Sequence, residues 1–183
     1  NGVKKWGKLN YPEGSDYSSW LKTDLYYLGY YYWNQEAPVL TAKYNVTSTT
    51  SSTKLCDSTA GFVDIIIDGE PMTSMSTGYT FPTTGEHTVE FKLNGFGIGS
   101  YAFYGCYDLI GITIPDSVTS IRNQAFFMCT KLAEITCHAI IAPSIHSSTF
   151  DSVKYNGTLY VPSGSTESYS TWMSTDNSYL GKY

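Results

Sequence analysis

The sequence predicts a mainly β chain with short helices, in which a small antiparallel β-sandwich precedes a short solenoid with a parallel sheet. Two observations carry this. Ile98, Ala102, Phe103, Cys106, Leu109, Ile112 and Ile114 recur twenty-three residues later as Ile121, Ala125, Phe126, Cys129, Leu132, Ile135 and Cys137. A fixed period of this length marks stacked coils, because each copy buries its apolar side chains only against the next. Between Val39 and Leu93, short alternating or β-branched runs are separated by turn signals, the pattern of a small sandwich.

Three regions follow: 1–37, 38–95 and 96–183. In the first, Tyr17, Trp20, Leu21, Leu25 and Leu28 recur at helical spacing, with Ser15 or Asp16 as N-cap and Gly29 as stop. Tyr30, Tyr31, Tyr32 and Trp33 then form an aromatic cluster that runs into a linker at 34–38. The second region reads as strands at 39–46, 62–67, 78–81 and 86–93, with Asp68-Gly69 as a hairpin turn.

In the third region, rungs at 112–114, 135–137 and 159–161, preceded by 89–91, are expected side by side, about 4.8 Å apart. Alternation turns Ile112 and Ile114 inward and Thr113 outward, and the same offset sets Glu90, Thr136 and Tyr160 in one exposed row. Each Ala-Phe stretch reads as a short helical turn with Phe103 stacked on Phe126. Tyr101, Gln124, Tyr104 and Phe127 differ between copies and read as solvent-facing. A degenerate third copy runs through Phe150, Leu159, Val161 and Pro162. Residues 163–172 read as a helix, N-capped by Ser165, whose Tyr169 and Trp172 cover the open end of the stack.

Composition narrows the function. The net charge is −5 and Arg122 is the only arginine, so a nucleic-acid partner is not expected. No apolar run is long enough to span a bilayer, and no signal peptide opens the chain, so a secreted form is expected to have lost its leader. Seventeen tyrosines suit either half-buried strand positions or a binding surface. Cys56, Cys106, Cys129 and Cys137 lack paired metal-ligand spacing. Cys106 and Cys129 are expected as small apolar neighbours in adjacent coils, with a disulfide left open and Cys56 unassigned.

No catalytic pattern stands out: His87, His138 and His146 belong to no metal motif, and His87 is expected at the surface beside a strand. The pairs Asp64/Asp68 and Glu86/Glu90 read as solvated strand faces. Gly95 to Gly99 reads as the turn that opens the first coil rather than a phosphate loop. No enzyme activity, cofactor or metal is expected.

The pattern Ile-Gly-x-x-Ala-Phe-x-x-Cys-x-x-Leu-x-x-Ile-x-Ile-Pro-x-Ser-Val, carried by residues 98–118, resembles the BspA-type leucine-rich repeat. The chain departs from that pattern at His138, at Ser148-Thr149 and at Lys154, which stands near the usual cysteine. The string at residues 79–89 resembles the last hairpin of bacterial immunoglobulin-like or PKD-type domains. The resemblance implies a non-enzymatic, secreted or cell-surface bacterial protein, of Bacteroidetes type, that adheres to a protein or glycan on host or neighbouring cells. Its binding residues are expected to be Glu90, Thr113, Glu134, Thr136 and Tyr160. Two other readings stay open: a carbohydrate-binding module using Tyr30, Tyr31, Tyr32 and Trp33, and a structural spacer.

Overall fold

The computed structural model describes residues 37–154 and 156–175. The expected helix at 15–28 and the cluster Tyr30, Tyr31, Tyr32 and Trp33 lie outside the described residues, as do linker positions 34–36.

The strands, in chain order, are β1 (Val39–Val46), β2 (Thr53–Lys54), β3 (Phe62–Ile67), β4 (Glu70–Pro71), β5 (Gly78–Tyr79) and β6 (Gly85–Leu93). There follow β7 (Gly97–Ile98), β8 (Leu109–Ile114), β9 (Ser120–Ile121), β10 (Glu134–Cys137) and β11 (Thr158–Tyr160), then helix α1 (Thr166–Thr175). Seven of these strands make one mixed sheet in the order β11-β10-β8-β1-β6-β3-β4. Of the strands expected to form a sandwich, 39–46, 62–67 and 86–93 therefore lie in the same layer as the repeat rungs, and only 78–79 pairs elsewhere, with β2. The inner side of those three meets Phe103 of the first coil, which packs on Phe62 and Phe91, and the segments around the β2–β5 ribbon, where the Leu55 carbonyl accepts the Tyr44 hydroxyl and Phe81 packs on His87 at 4.4 Å.

The expected contact between rungs 89–91 and 112–114 is corrected here: β1 stands between them, antiparallel to both β6 and β8. The repeat offset is nonetheless kept across the inserted strand, since Glu90 pairs with Thr41, Thr41 with Thr113, Thr113 with Thr136, and Thr136 with Tyr160. The physical reason is that a period fixes which side chains face inward but leaves the backbone edge of the first rung open to any strand of matching alternation. β1 supplies that alternation: Leu40, Ala42, Tyr44 and Val46 are buried while Lys43 and Asn45 are exposed.

Beyond the sheet the three repeat copies stack through their rings. Phe103 lies over Phe126 at 5.2 Å and 3°, and Phe126 over Phe150 at 5.3 Å and 1°. Phe150 meets Trp172 of α1 at 5.4 Å, so the ring column ends on the helix that caps it. Tyr169 donates to the Ala139 carbonyl and Trp172 Nε1 to that of Pro143, tying the cap to the last coil. The helix begins directly after Ser165, whose carbonyl accepts from Tyr169 N–H as an N-cap's does. The Ser165 hydroxyl donates back to the Pro162 carbonyl at 2.7 Å.

The coil corners are hydrogen-bonded turns rather than helical ones, with Tyr104 N–H bonded to the Tyr101 carbonyl and Cys106 N–H to that of Phe103. Left-handed residues recur with the period: Tyr101 and Gln124 at φ 61 and 55, then Gly105, Met128 and Ser152 at φ 65, 60 and 63. For side-chain-bearing residues this costs on the order of 1 kcal/mol each. Backbone bonds between coils hold them there: Tyr101 N–H to the Asn123 carbonyl, Gly105 N–H to Phe127, and Met128 N–H to Asp151.

Three smaller expectations are revised. Tyr104 and Phe127 are half-buried and stacked at 5.4 Å and 10°, a second ring pair on the outer side of the coils. The third copy fills its cysteine slot with buried Val153, not Lys154, because one extra residue separates the second and third copies. In the alanine slot before Phe150, Thr149 is fully buried, and its hydroxyl bonds to the Arg122 carbonyl and accepts from His146 N–H.

Candidate interaction face

The inner side of the sheet is closed by apolar side chains, so an accessible platform must be the other side. One row crosses it on consecutive strands from β3 to β11: Ile66, Glu90, Thr41, Thr113, Thr136, Tyr160. Glu90, Thr113 and Thr136 are half-buried, and Tyr160 is 51% exposed. A second row runs Thr88, Lys43, Gly111, Glu134, Thr158. All five sequence-predicted residues thus share one face, Glu134 one row below Thr136. Sequence reasoning missed Thr41 and Lys43, since it did not foresee β1 between the rungs.

Charge on this face is paired across strands. Lys43 meets Glu86 at 3.1 Å and Lys131 meets Asp108 at 2.8 Å, while Lys92 meets Asp64 at 3.3 Å. A bulge at Lys43/Tyr44 sets Lys43 opposite Gly111 and Tyr44 opposite Leu109, leaving Ile110 as the extra residue. Beside Gly111 the face sinks into a depression of about 270 Å³, lined by Lys43, Glu86, Ile110, Lys131, Glu134 and Lys154 among others. The repeat itself carried a signal for it, because Gly111 stands in the slot that Glu134 fills one period later.

His87 corrects the expectation of a surface histidine: it is 8% exposed. It continues the inward alternation of Val89, Phe91 and Leu93, and that was the signal available. Its Nδ1 lies 2.7 Å from Asp68, and its Nε2 lies 2.9 Å from the Thr83 carbonyl and 3.2 Å from the Thr83 hydroxyl. Thr83, His87 and Asp68 have the connectivity of a nucleophile, base and acid. The nearer partner of Nε2 is a carbonyl oxygen, which only accepts, so Nε2 donates and is not placed to take a proton from the hydroxyl. The group is a clasp joining the β3–β4 turn to β6. Burial alone would raise the Asp68 pKa, but hydrogen bonds from His87 and Thr88 N–H hold it below the usual value.

The cysteines are buried, unbridged thiols. Burial pushes Cys129 up to about 12 and Cys56 up to about 11, and raises Cys106 and Cys137 as well. Cys129 Sγ donates to the Phe103 carbonyl at 3.0 Å. Such thiols act as packing groups rather than nucleophiles. Among the described residues, no group of three or more His, Cys, Asp or Glu is arranged to hold a metal ion, and no helix is long and apolar enough to cross a membrane.

Neither the curated proteins nor the solved structures include a match to this chain. A family model does match: that of the BspA type leucine rich repeat region, in 6 copies over residues 78–178. That span takes in β6, the three ring-stacked coils and all of α1, and with them every residue of the outward rows from β6 to β11 except the two on β1. The chain belongs to the BspA type leucine rich repeat family.

Proposed function

We propose that this chain is a non-enzymatic, secreted or cell-surface bacterial adhesion module whose outward sheet face binds a protein partner. The observation that carries the reading is the unbroken row Glu90, Thr41, Thr113, Thr136, Tyr160 on five adjacent strands. A sheet locked from beneath by a continuous core loses little conformational freedom on binding, so modest polar contacts across it suffice for specific association. Leucine rich repeats serve as platforms for protein–protein interaction, which agrees with a face rich in hydroxyls and paired charges.

The test is a binding screen of the purified chain against immobilised host-matrix and bacterial surface proteins, with a glycan array alongside. Thr113→Arg and Thr136→Arg, which plant bulky cations in mid-row, should abolish capture of a protein partner while leaving the melting temperature unchanged. Capture that survives both substitutions rules out the face. Binding only to glycans would transfer the function to the reading based on Tyr30, Tyr31, Tyr32 and Trp33. Binding to neither class would favour the spacer.

A further inference from the structure

The row Thr88, Lys43, Gly111, Glu134, Thr158 lacks one side chain, and the gap at Gly111 opens into the depression described above. Its floor is the Gly111 backbone beside Ile110. A Cβ built on Gly111 would lie 3.6 and 3.7 Å from Lys43 carbons and 3.8 Å from the Glu134 Cβ, in ordinary contact. The glycine is therefore not forced by crowding, and Gly111 is not among the glycines with positive φ. What its missing side chain provides is room.

Lysine is concentrated at this place. The described residues contain five lysines, 43, 54, 92, 131 and 154, and three of them line this one depression on a chain of net charge −5. Glu86 and Glu134 line it too, so ammonium and carboxylate groups alternate around the depression. The Lys43–Glu86 pair is about half exposed on both sides, 49% and 54%, and Lys131 is held by Asp108 from outside the lining. A pair as solvated as Lys43–Glu86 is held weakly, so an incoming carboxylate can take a share of Lys43 without first breaking a strong contact.

We propose that the depression is a socket for a glutamate or aspartate side chain of the protein partner, with its methylene stem on Ile110 and its carboxylate among Lys43, Lys131 and Lys154. This rests on the interaction-face reading and adds register to it. On a chain of net charge −5, one acid-accepting point fixes where a partner lies along the rows.

The test is an amide chemical-shift titration of the whole chain with end-capped tetraglutamate, tetraglutamine and tetralysine peptides. Tetraglutamate should shift the Gly111, Lys43 and Glu134 amides saturably and the effect should fade in high salt. Gly111→Val should fill the socket and remove the response, and Lys43→Gln or Lys131→Gln should each weaken binding about threefold. Should Gly111→Val fail to fold, Gly111→Ala combined with both glutamine substitutions makes the same test. Equal shifts from tetraglutamine or tetralysine, no shifts from tetraglutamate, or an undiminished response in the filled variant would overturn the socket. A captured protein lost with Thr136→Arg but kept with Gly111→Val would also overturn it and leave the face standing. A captured protein indifferent to Thr136→Arg would overturn the face itself.

Discussion

The antiparallel half of the sheet, β1 with β3, β4 and β6, and the parallel half, β8 with β10 and β11, are held by different means. In the parallel half one arrangement is copied: Phe103, Phe126 and Phe150 stack at 5.2 and 5.3 Å with planes within 3°. In the antiparallel half each strand has its own device, whether the His87–Asp68 clasp, the Lys92–Asp64 pair or the Tyr44 bond to Leu55. At the seam the ring geometry changes: Phe91 meets Phe103 edge-on, at 5.1 Å and 85°. Repetition lets one favourable contact serve several times, whereas a non-repeating region must find a separate partner for every strand.

Because β1 joins both halves, they should unfold together. Phe126→Ala and Phe91→Ala each remove a fully buried ring and should cost about 3–5 kcal/mol, each shifting a single denaturant transition. A biphasic melt in which either substitution moves one phase only would break the molecule into two independent units. Trp172→Ala should cost slightly less, about 3 kcal/mol, and act locally. Hydrogen exchange should then accelerate first at Val153 and Thr158 in the last coil, and acceleration that is uniform over the sheet would deny the cap its role.

Cys129→Ser keeps a donor toward the Phe103 carbonyl and should cost about 1 kcal/mol. Alkylation of the four thiols in the native protein should proceed no faster than unfolding, and rapid labelling of Cys129 at neutral pH would contradict its burial. Asp68 has a lowered pKa in the folded state, so its contribution is present above the ordinary aspartate value and is lost as pH falls through the lower folded one. Stability should therefore decline below about pH 4, and less steeply in Asp68→Asn, which suits the left-handed turn position at φ 51. Lys43→Met should change stability least, by less than about 1 kcal/mol, since its ion pair is solvated.

Much of the parallel half was legible in the sequence because periodicity is a direct record of burial: Ile98, Phe103, Cys106, Leu109 and their copies are all at or near zero exposure. Strand bounds at Val39–Val46 and Phe62–Ile67 followed from alternation and from the turn at Asp68-Gly69. The neighbour of each strand was not legible. Alternation tells which way Ala42 points, but backbone hydrogen bonds carry no side-chain signature, so nothing in residues 39–46 announces that both edges will be occupied. For the same reason alternation could set Glu90, Thr113, Glu134, Thr136 and Tyr160 on one face, while Thr41 and Lys43, which stand in the same rows, left no such trace. His87 was misjudged by residue type where its spacing to Val89 and Phe91 should have prevailed.

The placing of β1 also sets a timetable for assembly. This strand leaves the ribosome before either of its partners, yet it cannot pair until residues 85–93 and then 109–114 have been made. Its ladders are therefore long-range contacts that folding must wait for, and the coils alone cannot serve as a finished template for it. A fragment starting after residue 46 would confront β6 and β8 across an empty lane and expose two bare edges, the condition under which strands are recruited from other molecules.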